Sequence, residues 1–190
     1  MRIDIPSPPY EEVIAERLSK FMPADSDIEP LKELRMLIGN HPSLSDAMFQ
    51  LAWFFVGENS TLDVRTRELV ASRTCAKTGC EYEWGVHQAA FAEAAGFSPE
   101  QQAATVQGSA DEAAWPERDK IVLRAVDELI DSSTLSDQRW QELRREYTRQ
   151  QILEMLVLVG WYTTTCYMIN ATEIPLESWA QRFPSSAYAG

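Results

Sequence analysis

The stretch Glu68–Gly96 reads ELVASRTCAKTGCEYEWGVHQAAFAEAAG, and it holds most of the candidate chemistry of this chain. Gly79 is typical of a residue that ends a helix, and the sequence from Cys80 onward predicts the start of the next one. A bend at residues 77–79 would let the first helix fold back on the second. The stretch therefore predicts two packed helices joined by a tight turn.

Four side chains of this stretch are candidates for chemistry. At about 100° per residue, Cys80, Glu83 and His87 fall within about 60° of one another on a single helical face. Folding back of the preceding helix would bring Glu68 to the same place. A carboxylate four residues from an imidazole fixes its tautomer and raises its basicity, as a general acid or base requires. Unpaired N–H groups at a helix start lower the pKa of a thiol, whereas neighbouring carboxylates raise it.

The rest of the chain also predicts helices, with no strand pattern longer than a few residues. Capping serines and first-turn prolines mark several of the starts. We therefore expect an all-α protein. The predicted helices cover 10–21, 30–38, 44–56, 64–78, 80–96, segments that begin at 98 and 116, 137–147 and 149–170.

Length and composition indicate one domain with a substantial core, because 45% of the 190 residues are hydrophobic. We divide it into an N-terminal arm with a short helix (1–29), a helical domain (30–175) and a C-terminal tail (176–190). The arm includes a proline-stiffened segment, IPSPP.

Charge and cysteine content restrict the partners. The net charge of −12, from 29 acidic and 17 basic residues, disfavours nucleic acid and anionic membrane surfaces. The longest apolar run, Ile152–Ile169, approaches the length of a membrane span, but its Glu154 and three threonines favour a buried helix. The N-terminus lacks the apolar segment of a secretory signal, and three cysteines form no disulfide framework. We expect a cytoplasmic protein.

The spacing of the central residues resembles the signature of the carboxymuconolactone decarboxylase / alkyl hydroperoxidase D-like superfamily. Eleven residues separate Glu68 from Cys80, and His87 follows seven residues after Cys80. The hydroperoxidase branch carries a second cysteine where this chain has Glu83. The sequence from Glu83 and Trp84 to His87 is instead similar to the decarboxylase-type branch. The resemblance implies an oligomeric, alkyl hydroperoxidase D-like helical bundle.

The resemblance also implies roles for the candidate residues. His87 would act as the acid or base and Glu83 would orient it, while Glu68 would be a second proton-handling group and Cys80 a possible nucleophile. We expect neither a metal nor a cofactor. Further candidates for substrate contact are Tyr82, Trp84, Arg65 and His41.

Three functions remain open at this point. The first is a decarboxylase-like enzyme acting on a small carboxylated or lactone-type substrate. The second is a thiol peroxidase that uses Cys80, and the third is a non-catalytic oligomeric protein that binds a small ligand. The apolar helices 44–56 and 152–169 offer more surface than one small domain buries, so we expect a homo-oligomer, a dimer, trimer or hexamer, with the site near a subunit boundary.

Overall fold

The computed structural model describes residues 1–21 and 29–185, which form nine α-helices and no strand. This confirms the all-α fold. The helices are α1 (Glu12–Leu18), α2 (Lys32–Asn40), α3 (Pro42–Val56), α4 (Val64–Lys77), α5 (Glu81–Phe91), α6 (Pro99–Gln107), α7 (Glu117–Ser132), α8 (Asp137–Glu146) and α9 (Arg149–Thr172).

Side-chain caps set several of these boundaries where the sequence predicts them. Asp63 accepts a hydrogen bond from the backbone N–H of Thr66 at the start of α4. Ser98 and Thr148 each form a reciprocal capping box at the starts of α6 and α9. Other boundaries shift by a few residues, and the largest difference is at the end of α5, which lies at Phe91 and not at Gly96. A short turn follows, and it closes at Gly96 with φ of +66°.

Helix α4 lies at the centre of the fold and packs against α5, α6, α7 and α9. Its sequence, VRTRELVASRTCAK, is polar, yet most of its residues are buried. Partners on other helices satisfy several of these polar groups. Gln88 of α5 donates to the Ser72 hydroxyl at 2.7 Å, and Arg73 pairs with Asp127 of α7 at 2.6 Å.

The turn between α4 and α5 folds the two helices against each other. Gly79 has φ of +66°, a backbone conformation that L-residues rarely adopt. The N–H of Cys80 donates to the carbonyl of Cys75 at 2.8 Å across this turn. The bend expected at 77–79 is therefore present, and it places the side chains of α4 beside those of α5.

Helix α9 packs along α4 and contains the charged residue that interrupts the longest apolar run. The Glu154 carboxylate accepts hydrogen bonds from the Ser60 hydroxyl and from the N–H and hydroxyl of Thr61, all at 2.8–3.1 Å. It thereby ties the loop before α4 to α9. By length and composition alone α9 could cross a membrane, but half of its most apolar stretch is buried inside the protein.

Helix α3 is less buried than its apolar sequence predicts. Within the single chain only Ser45 and Phe55 are fully buried, whereas Leu44, Trp53 and Val56 are each more than 40% exposed. The single chain therefore leaves part of the apolar surface of α3 uncovered.

Both terminal segments pack on the helical domain where they are described. The N–H of Arg2 donates to the carbonyl of Thr172, and Arg35 donates to the carbonyl of Pro6. Near the other end, the N–H of Gln181 donates to the carbonyl of Gly85 in α5. The division at 29/30 and 175/176 remains a prediction, and parts of both predicted terminal segments, 22–28 and 186–190, lie outside the described residues.

Candidate active site

The structure brings Glu68 and His87 into direct contact. His87 Nδ1 lies 2.6 Å from Glu68 Oε2 across the α4–α5 pair, and both side chains are buried. Glu68 Oε1 accepts from Nε of the neighbouring Arg67 at 2.8 Å. Glu68 thus uses both carboxylate oxygens, one for a guanidinium and one for the imidazole.

The second ring nitrogen of His87 faces two further groups. His87 Nε2 lies 3.2 Å from the Tyr162 hydroxyl, which α9 contributes, and 3.4 Å from Glu83 Oε1, one helical turn earlier on α5. The other oxygen, Glu83 Oε2, is buried and has no hydrogen-bond donor among the described residues. His87 is therefore held from both sides, while one carboxylate oxygen beside it is unsatisfied.

The electrostatics of this cluster favour a protonated imidazole. Burial disfavours the imidazolium, but the carboxylates of Glu68 and Glu83 outweigh it and raise the pKa of His87 to about 10. Burial acts to raise the pKa of Glu68, and the neighbouring His87 and Arg67 lower it below its ordinary value nevertheless. At neutral pH the pair is an imidazolium in contact with a carboxylate.

A pocket of about 290 Å³ opens beside His87. Its walls are mainly aromatic and aliphatic, and its polar groups are concentrated at one end. The lining residues are Phe21, Leu31, Glu33, Leu34, Phe49, Ala52, Trp53, Phe55, Val56, Glu83, His87, Phe91, Trp161, Tyr162 and Thr165. This composition suits a small, largely apolar molecule with one polar end.

Glu33 and Tyr162 enter this pocket from α2 and α9, and the sequence analysis missed both. Burial and the nearby Glu83 carboxyl raise the pKa of Glu33 well above its ordinary value. Burial and the carboxylates of Glu68 and Glu83 likewise raise the pKa of Tyr162, so its hydroxyl stays protonated. Neither residue is near the central stretch in sequence. In the sequence, Glu33 is only an acidic residue near a helix start and Tyr162 only a tyrosine in an apolar helix, so nothing links either one to His87.

Cys80 lies apart from the pocket, although it shares a helical face with Glu83 and His87. Its side chain is fully buried, as are those of Cys75 and Cys166, and all three cysteines are free. The Cys75 and Cys166 sulfur atoms are 3.7 Å apart. Contact with Cys166 and burial raise the pKa of the Cys80 thiol, and they outweigh the backbone N–H of Glu83, which lowers it.

Tyr82 and Trp84 are buried and hydrogen-bonded within the fold. The Tyr82 hydroxyl donates to Glu177 Oε1 at 2.7 Å, and the Trp84 indole N–H donates to the Thr105 hydroxyl at 2.9 Å. Neither lines the pocket, whereas two other tryptophans, Trp53 and Trp161, do.

Arg65 and His41 also have local partners away from the pocket. Arg65 pairs with Asp119 and donates to the carbonyls of Ala95 and Gly96, which fixes the turn after α5. His41 is exposed and caps α3, with Nδ1 accepting from the N–H of Leu44 at 3.2 Å.

The described residues contain no group of three or more His, Cys, Asp or Glu side chains arranged to hold a metal ion.

Part of the chain that includes this site is similar to a known protein family. Residues 42–128 match the model of the Carboxymuconolactone decarboxylase family. This match supports the carboxymuconolactone decarboxylase / alkyl hydroperoxidase D-like superfamily for this chain. The match includes Glu68, Glu83 and His87, and it ends before Tyr162 and begins after Glu33. No curated protein matches the chain.

Solved structures share the superfamily fold with this chain at low sequence identity. An uncharacterized peroxidase-related protein from Silicibacter has a TM-score of 0.79 at 16% identity, with 96% of this chain and 95% of the other covered. An alkylhydroperoxidase AhpD core protein from Ralstonia eutropha has a TM-score of 0.77 at 15% identity, with 93% and 92% covered. A protein of unknown function from Agrobacterium tumefaciens has a TM-score of 0.64 at 16% identity, with 74% and 94% covered.

Proposed function

We propose that the protein is a cofactor-free acid–base enzyme of the decarboxylase type, acting on a small unsaturated lactone that carries a carboxylate. The observation that supports this most directly is the position of His87. A buried imidazolium, held between Glu68 and Glu83, faces an apolar pocket of about 290 Å³. The three thiols of the chain are buried elsewhere in the core.

The reaction would need only binding and one proton. The bond between the ring carbon and the carboxylate breaks, CO2 leaves, and the electron pair passes into the conjugated ring system. A proton from the acid–base group around His87 then completes the carbon, and a proton from solvent restores the imidazolium. The pKa of about 10 keeps His87 charged at neutral pH, so it is a proton source there.

The charge balance of the polar end permits an anionic substrate. Glu68 is matched by Arg67 and shared with His87, so its charge is neutralised before a substrate enters. The remaining carboxyl groups, Glu33 and Glu83, both line the pocket, and the raised pKa of Glu33 favours a neutral acid there. A substrate carboxylate would therefore meet an imidazolium and a protonated acid.

A thiol peroxidase is the second candidate, because Cys80 matches the first cysteine of the signature. Glu83 occupies the place of the second cysteine, and the Cys80 thiol is fully buried with a raised pKa. Since the thiolate is the nucleophile in such reactions, this environment disfavours peroxide reduction.

Two variants separate these functions. His87→Gln should reduce CO2 release from a carboxylated unsaturated lactone by a factor of about 100 or more, whereas Cys80→Ala should leave it largely intact. The same variants should be compared for consumption of an alkyl hydroperoxide. Peroxide turnover that Cys80→Ala abolishes would refute the acid–base function, and no turnover of either substrate class would favour a non-catalytic ligand-binding protein.

We further propose a cytoplasmic homo-oligomer. Trp53 and Val56 on α3, and Leu153, Val157 and Tyr167 on α9, are large hydrophobic residues that are each 48–66% exposed in the single chain. Trp53 and Val56 also line the pocket, so an interface there would adjoin the site. Light scattering at micromolar concentration that reports a monomer would contradict this.

A further inference from the structure

Glu33 and Glu83 bring two carboxyl groups together at the polar end of the pocket. Glu33 lies in the first turn of α2 and Glu83 in the first turn of α5, and both line the pocket. Besides burial, the Glu83 carboxyl raises the pKa of Glu33, so the two carboxyl groups lie close together in this pocket. The family match begins after α2, so it assigns no role to Glu33.

This proximity requires a proton. A carboxylate can only accept hydrogen bonds, so two deprotonated carboxylates in contact would repel each other. Glu83 Oε1 already lies near His87, and the buried Glu83 Oε2 has no donor among the described residues. One proton held between Glu33 and Glu83 would satisfy that oxygen and remove the repulsion.

The position of Glu33 is fixed by a network that joins α2 to α5. The Glu177 carboxylate accepts from the N–H and Nζ of Lys32 and from the Tyr82 hydroxyl, at 2.7–2.9 Å. The Tyr82 hydroxyl in turn accepts from the N–H of Glu33 at 3.2 Å. The first turn of α2 is thereby held against α5, which keeps the two carboxyl groups in the same pocket.

We propose that Glu33 and Glu83 form an acid pair that shares one proton and transfers it from Glu33 to the substrate carbon. This rests on the proposed decarboxylase function, in which one proton replaces CO2. Loss of the proton leaves two adjacent carboxylates, and His87 Nε2, 3.4 Å from Glu83 Oε1, returns a proton to the pair. Solvent then reprotonates His87, so each turnover consumes one proton and releases one CO2.

Several charged or titratable groups surround the pair and set its proton affinity. Among the neighbouring groups, Glu83 raises the proton affinity of Glu33 most. Cys80, the residue before α5, also raises it, and His87 lowers it. The more distant Glu68 of α4 and Tyr162 of α9 act through their contacts with His87.

Infrared spectroscopy tests the pair without any substrate. A protonated carboxylic acid has a carbonyl stretch separate from the carboxylate bands, so the wild-type protein at neutral pH should show a band that both Glu33→Gln and Glu83→Gln remove. Glu93→Gln, at an exposed residue in the turn after α5, is the matched control and should retain it. Absence of the band from the wild type, or its persistence in Glu33→Gln, would overturn the proposal. Because wild type is measured directly, a variant that fails to fold does not prevent the test.

Turnover tests the transfer step. Glu33→Gln keeps a hydrogen-bond donor toward Glu83 but cannot give up a proton, so kcat should fall about 100-fold or more while KM changes little. Glu33→Asp should recover part of that loss. Wild-type kcat in Glu33→Gln, with His87→Gln inactive, would refute the acid pair and leave the proposed function intact. If no lactone acid is turned over, the infrared result still decides whether the pair holds a proton.

Discussion

Removal of the negative charge of Glu68 should lower the pKa of His87 sharply. In Glu68→Gln the side-chain shape is retained, but the carboxylate 2.6 Å from His87 Nδ1 becomes a neutral amide. Two opposite charges about 4 Å apart interact by about 4 kcal/mol at an effective dielectric constant of about 20. Since one pKa unit corresponds to about 1.4 kcal/mol, the pKa of His87 should fall by about 3 units.

The starting value of about 10 would therefore become about 7, near the ordinary value for histidine. Glu83 remains 3.4 Å from Nε2 and opposes a larger fall, while burial favours one. At pH 8 the wild-type imidazole should be almost fully charged, and that of the variant mostly neutral.

Nuclear magnetic resonance can follow this change cleanly because the chain has two histidines. The imidazole carbon-bound protons are titrated between pH 5 and 11 in wild type and Glu68→Gln, with the exposed cap residue His41 as the second resonance. A His87→Gln variant assigns the two signals, and Glu93→Gln controls for loss of one exposed carboxylate. A His87 titration that is the same in wild type and Glu68→Gln would refute the electrostatic reasoning on which the proposed proton source depends.

The remaining predictions concern stability and packing. The folded-state pKa of His87, about 10, is above its ordinary 6.5, so the stability that its charged form contributes should be complete below about pH 6.5 and lost as pH rises through about 10. Urea unfolding at pH 6, 8 and 10 measures this change, and equal stability at pH 6 and 10 would contradict it. The pKa of Glu68 is lowered in the folded protein, so the stability that its carboxylate contributes should be present above its ordinary 4.5 and lost as pH falls below that value. Urea unfolding at pH 5 and 3 should therefore show lower stability at pH 3. Gly85→Ala should cost about 1–3 kcal/mol because a Cβ there would lie 2.2 Å from the carbonyl oxygen of Gln181. Gly160→Ala in α9, where a Cβ meets nothing within 4 Å in this chain, should instead add about 0.5–1 kcal/mol, and a loss of stability would show that the site is occupied in solution.

The central stretch shows how local signals in the sequence translate into a fold. Gly79 and the Asp63 cap predict where α4 begins and ends, since both act through backbone conformations within a few residues. The spacing of Glu83 and His87 places them on one face of α5 for the same reason. The contact between Glu68 and His87 follows once the turn at Gly79 folds α4 back.

Other features depend on neighbours that are distant in sequence. Cys80 shares the helical face of His87, but it lies in a cluster with Cys166, because α9 packs behind the turn. Helical periodicity gives the direction of a side chain from its own axis, and it says nothing about which other helix covers that direction. Trp84 and Tyr82 were also candidates for substrate contact. Trp84 is held away from the pocket by its partner on α6, and Tyr82 by its partner in the C-terminal segment.

Residue spacing was enough to predict an all-α protein, the resemblance to the superfamily, and the group of Glu68, Glu83 and His87, because these depend on local helical geometry. Packing of distant helices sets which side of that group faces a pocket, and it adds Glu33 from α2 and Tyr162 from α9. Nothing near residue 33 or 162 indicates that role. The physical reason is that burial and charge at the site come from side chains brought together by packing, and packing partners more than 50 residues apart leave no local pattern.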